Sequence, residues 1–113
     1  MLNNQNNILK QKVKIILNSL GLNEKYNAFE YLSIIIHHML ENSDYSVPEF
    51  NNIVNFLMQK FNITKRSLTQ CLNKLLLQCS EPSIFNSPLF NLKNISLFNR
   101  IKLIYYYSVE KIK

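Results

Sequence analysis

The chain reads as all-α, on three observations. It has one glycine and three prolines in 113 residues, too few turn formers for a hairpin-rich fold. Its apolar residues recur mostly at the helical period of 3.6 rather than in alternation. Residues suited to starting or stopping a helix, among them Gly21, Asn23, Thr64 and Ser96, stand at the edges of those periodic segments. The expectation is a single compact domain of five to six helices spanning 1–113, with residues 1–4 disordered.

The first helix is expected over about residues 5–20, with Ile8 or Leu9, Val13, Ile16, Leu17 and Leu20 facing inward. Gly21 is placed to end it in a left-handed conformation. Asn23 is expected to cap a second helix, about 25–41, whose apolar face (Tyr26, Phe29, Leu32, Ile36, Met39, Leu40) is widened by Ile34 and Ile35. A helix apolar nearly all round belongs at the centre of a bundle. After a polar connection from Asn42 to Ser46, Pro48 suits the first turn of a third helix, about 48–61, with a stripe of Phe50, Ile53, Val54, Leu57 and Phe61.

A turn at Asn62 and Ile63 then leads to a fourth helix, about 64–79. Thr64 is its cap, and Leu68, Cys71, Leu72, Leu75 and Cys79 form its buried stripe. The segment holding Pro82 and Pro88 is expected to be irregular and pinned to the core by Phe85, Leu89 and Phe90. Ser96 caps a last helix, about 97–111, with Leu97, Phe98, Ile101, Ile104, Tyr105 and Val109 on its apolar side.

The third and fourth helices with their short turn predict a helix-turn-helix reader of DNA, 48–61 crossing and 64–79 recognising. The outer arc of the recognition helix carries Lys65, Arg66, Thr69, Gln70, Asn73 and Lys74. Gln70 and Asn73 have the donor and acceptor needed for adenine edges in a major groove, and Lys65, Arg66 and Lys74 suit phosphates. The competing reading is a solvated face in an asparagine-rich chain. With roughly four to six phosphates neutralised, log affinity should fall against log salt with a slope of about −4 to −5.

Charge distribution favours a polyanionic partner. Of the net +6, residues 1–49 contribute −1 and residues 50–113 contribute +7, and no acid lies between Glu49 and Glu81. Other chemistry is poorly served. There is no glycine-rich phosphate loop, nucleophile elbow or two-histidine metal motif, and the carboxylates are scattered, so no enzyme, cofactor or small-molecule substrate is expected. His37 and His38 diverge by about 100° on a helix and are poorly placed to share a metal. Cys71 and Cys79 would lie about 12 Å apart on one helix, too far to bond, which suits a reducing compartment. With no secretory signal and no run of roughly 20 apolar residues, the expectation is a cytoplasmic protein without a membrane partner. Tyr105, Tyr106 and Tyr107 are expected to place one ring in the core and the others at a surface or dimer contact.

Several of these segments resemble, in order, the C-terminal DNA-binding effector domain of the sporulation-initiation response regulator of bacilli and clostridia. Leu17 to Leu22 is similar to that family's opening. Phe29-Glu30-Tyr31-Leu32 is similar to its aromatic-x-tyrosine-leucine signature. Lys60-Phe61-Asn62-Ile63-Thr64 resembles its lysine-phenylalanine-asparagine-threonine-threonine turn, and Ser96-Leu97-Phe98 falls where it has serine-glutamate-phenylalanine. The resemblance covers roughly residues 15–110. It implies an all-helical effector domain, here without a receiver, that binds promoter DNA as a dimer at tandem sites. Where the family's recognition helix carries arginines, a glutamate and an arginine–histidine pair, this chain has Ser67, Thr69, Gln70, Asn73 and Lys74, so a different DNA box is implied. The alternative is an effector-like interaction module that has given up DNA and pairs with another regulator, or with itself, through the C-terminal helix.

Overall fold

The computed structural model describes residues 2–42, 46–78 and 96–112, and among these described residues there are five helices. They are α1 (Leu2–Ser19), α2 (Asn27–Asn42), α3 (Val47–Phe61), α4 (Lys65–Leu76) and α5 (Leu97–Ile112). Among the described residues there is no strand. No helix there is long and apolar enough to cross a membrane. The expectations for Pro82, Phe85, Pro88, Leu89, Phe90 and Cys79 fall outside the described residues.

The middle of the described fold is α2, which packs against each of the other four helices among the described residues. Its sequence requires this: Ala28, Phe29, Tyr31, Leu32, Ile35, Ile36 and Met39 are all buried, and they occupy more of the circumference than one neighbour can cover. Ser33 is buried among them, and its hydroxyl donates to the Glu30 carbonyl at 2.9 Å, so it is not orphaned. Val13, Ile16 and Leu17 of α1, with Leu20 just beyond its end, enter the core, while Leu9 is half-buried and Ile8 exposed. Ile101, Ile104 and Tyr105 of α5 are buried in the same core. The Ser108 hydroxyl is fully buried and donates to the Ile104 carbonyl at 2.8 Å.

Helix ends follow local chemistry. Gly21, at φ 88°, ends α1: the Gly21 amide donates to the Asn18 carbonyl at 3.0 Å and the Leu22 amide to the Leu17 carbonyl at 3.3 Å. This is a Schellman stop, with Leu22 and Leu17 both in the core beneath it. Ser46 and Ser96 cap α3 and α5, accepting from the Glu49 and Asn99 amides at 3.4 and 3.2 Å.

Three boundaries differ from expectation. The first helix begins at Leu2 rather than near residue 5. The second begins at Asn27, because the Asn23 side chain accepts from the Lys25 amide at 2.9 Å and closes a turn instead of capping the helix. Tyr26 therefore lies before α2, off its apolar stripe, and is 53% exposed. The fourth helix ends at Leu76 rather than near 79. There the Gln78 amide donates to the Leu75 carbonyl at 2.9 Å, a tightened last turn, while the Gln78 side chain accepts from the Asn23 amide at 3.4 Å.

Candidate nucleic-acid interface

The corner between α3 and α4 consists of Asn62, Ile63 and Thr64, and each has a defined task. Asn62 adopts the left-handed conformation, φ 51° and ψ 53°, which an asparagine tolerates better than most residues. The Asn62 and Ile63 amides both donate to the Met58 carbonyl, the latter at 3.1 Å, and the half-buried Ile63 and Met58 pack on the core beneath. Thr64 is extended, and its hydroxyl accepts from the Ser67 amide at 3.1 Å. Stop and start are thus joined without slack.

Leu68, Leu72, Leu75 and Leu76 anchor α4 in the core, and Cys71 is half-buried beside them. The opposite arc contains the residues singled out from the sequence. Lys65, Arg66, Gln70 and Lys74 are exposed, whereas Thr69 and Asn73 are half-buried on the flank. Arg66, Gln70, Asn73 and Lys74 lie within about 100° of one another around the helix axis. There is no acid in the first turn of α4. Lys65 and Arg66 sit instead at the positive end of the helix dipole, where local stability would prefer carboxylates. Among the described residues no carboxylate pairs with Lys65, Arg66 or Lys74. Among the described residues, this end of the helix therefore presents positive charge that meets no carboxylate. Lys60 stands apart from the arc, with its ammonium 5.7 Å from the Phe56 ring centre and 5.5 Å from that of Phe61.

Arg100 was not legible as part of this surface. From the first turns of α5 its Nη1 donates to Asn73 Oδ1 at 3.1 Å, tying the flank of α4 to α5 across 27 positions of sequence. No local pattern signals such a pairing, since it depends on where two distant helices cross. The three tyrosines divide as expected: Tyr105 is buried, Tyr107 half-buried and Tyr106 exposed.

A second feature is a groove of about 680 Å³ between α1, α2 and α3. Both histidines face it, although neighbours on a helix diverge. His38 Nε2 lies 2.6 Å from Glu49 Oε1, joining α2 to the start of α3, and its Nδ1 faces the Asn42 side-chain amide at 3.3 Å. A proton on Nε2 satisfies both contacts. His37 Nε2 lies 3.6 Å from Glu41 Oε2, and Lys14 pairs with Glu30 at 3.5 Å. Burial holds the His37 imidazole below its ordinary pKa. Glu41 opposes that shift, and Lys10 and His38 reinforce it. Among the described residues no group of three His, Cys, Asp or Glu side chains is placed to hold a metal ion.

Compared with known proteins, the chain matches no family model, no curated protein and no solved structure.

Proposed function

We propose that this chain is a small DNA-binding transcriptional regulator, with α3, the corner at 62–64 and α4 acting as a helix-turn-helix and α4 entering the major groove. Arg66, Thr69, Gln70 and Asn73 then lie near base edges, and Lys65 and Lys74 near phosphates. The observation that carries this reading is the composition of the outer face of α4. It is cationic and amide-bearing, free of acids, and held on a rigid corner by a buried leucine face. Kinship with the sporulation effector family, a dimeric state and a cytoplasmic location belong to the same proposal.

Fluorescence anisotropy with a generic duplex at low salt tests it. Binding that weakens with salt at a log–log slope of about −4 to −5 supports the reading. A dissociation constant weaker than about 10⁻⁴ M falls below ordinary non-specific binding and eliminates it.

A second reading, an interaction module pairing with another regulator through α5, draws on two observations. Tyr106 of α5 is 44% exposed, and Asn73 is already engaged within the chain. Sedimentation of the chain alone and mixed with duplex separates the two: self-association without DNA binding favours the module.

A further inference from the structure

We infer that Arg100 sets base preference on the α4 face by converting Asn73 into a reader that only donates. The inference rests on the DNA-binding reading above. Arginine has five donors and no acceptor, so only the carbonyl oxygen of the Asn73 carboxamide can face it. The usual ambiguity over which end of an asparagine is oxygen is thereby removed by chemistry. At 3.1 Å, in a half-buried setting, the Asn73 oxygen is turned toward α5 and committed to a charged donor. The amide nitrogen sits at the other end of the same planar group, leaving its N–H donors for a ligand.

This matters because asparagine recognises adenine through both ends at once: its oxygen accepts from N6 while its nitrogen donates to N7. A side chain whose oxygen is held by Arg100 cannot turn both ends to one base. It can donate to N7, which guanine shares with adenine, or to the O6 of guanine and the O4 of thymine. Cytosine offers only a donor in the major groove and is rejected. Asn73 should therefore discriminate acceptor-bearing bases from cytosine and separate guanine from adenine poorly. Gln70, exposed on the same arc, keeps both ends for reading.

The test begins with selection of binding sites from random duplexes by the wild-type chain. The base pair whose preference flattens in Asn73→Ala is the one that Asn73 contacts. At that pair, wild type should bind guanine and adenine within about threefold of each other. Arg100→Met keeps the stem and removes the donors, so it should favour adenine over guanine by roughly tenfold, the scale of one bidentate pair. Arg100→Lys retains a donor and should keep the wild-type profile.

A readout without DNA covers the case in which Arg100→Met folds poorly. Asn73→Asp should raise the melting temperature more, or lower it less, in the wild-type background than in the Arg100→Lys background, because the bidentate charge pair needs the guanidinium. An unchanged base profile in a folded Arg100→Met variant overturns the inference while leaving DNA binding intact. So does loss of an adenine preference already present in wild type, which would mean that Arg100 braces a two-ended contact. Equal thermal effects of Asn73→Asp in both backgrounds also overturn it. Failure of wild type to bind any duplex sinks the DNA-binding reading itself.

Discussion

Helices α2 and α4 are both anchored by large apolar side chains, yet they meet solvent in opposite ways. α2 is covered on most sides, and the polar groups at its edge meet partners within the chain: Glu30 pairs with Lys14, His38 Nε2 contacts Glu49, and His37 lies beside Glu41. α4 is covered on one side, and Lys65, Arg66 and Lys74 on its other side have no carboxylate partner among the described residues. A helix that serves only the core can neutralise its own periphery. One whose cations meet no carboxylate among the described residues, at the end where charge of that sign weakens it, has the kind of surface that the proposed DNA contact requires.

The sharpest way to break the contrast is to set the two faces of α4 against each other. Leu72→Ala should lower unfolding free energy by about 2–5 kcal/mol, because Leu72 is fully enclosed. Gln70→Ala, on the exposed arc, should stay within about 0.5 kcal/mol of wild type while losing discrimination at one or two base pairs. Urea titration and a binding panel give both numbers. A large stability loss from Gln70→Ala would mean that the arc is part of the core.

Next in size is the corner. Asn62→Val should cost at least about 1–2 kcal/mol, since a branched side chain resists the left-handed conformation, whereas Asn62→Gly should be near neutral. Chemical denaturation distinguishes them.

Smaller, but opposite in sign for stability and binding, is Lys65→Glu. An acid in the first turn should raise helix stability by about 0.3–1 kcal/mol, while affinity for duplex falls and the salt slope flattens by about 0.9 for the lost contact. Thermal melts and anisotropy across a salt series measure the two effects on one sample.

The subtlest test concerns the groove beside α2. Because burial lowers the His37 pKa in the folded chain, the unfolded chain takes up the proton first as pH falls. Stability should therefore decline as pH drops below the ordinary value of 6.5 and level off once the folded-state value is passed. His37→Gln should remove that decline from the stability–pH curve. Identical curves for both proteins would show that His37 does not contribute.

Much of this was readable from residue order. Gly21 stops α1, Ser96 and Thr64 cap their helices, and the breadth of the apolar face on α2 places it centrally. Each depends on neighbours within one or two turns, the range over which spacing carries information. The exposure of Lys65, Arg66, Gln70 and Lys74 was legible for the same reason, as the complement of a leucine stripe. What escaped depends on helix crossings. Arg100 meeting Asn73 and Glu49 meeting His38 both arise from contacts between elements. Tyr26 was misplaced by a smaller error, an asparagine that closed a turn instead of starting a helix.

The corner at residues 62–64 bears on how fast and how tightly any ligand could be held. Its stop bonds and its cap already fix this junction, so a partner arriving at α4 has no loop to freeze. The entropy surrendered on docking is confined to a few long side chains at roughly 0.5–1.5 kcal/mol each. Association should accordingly be a single fast phase, limited by encounter rather than by rearrangement.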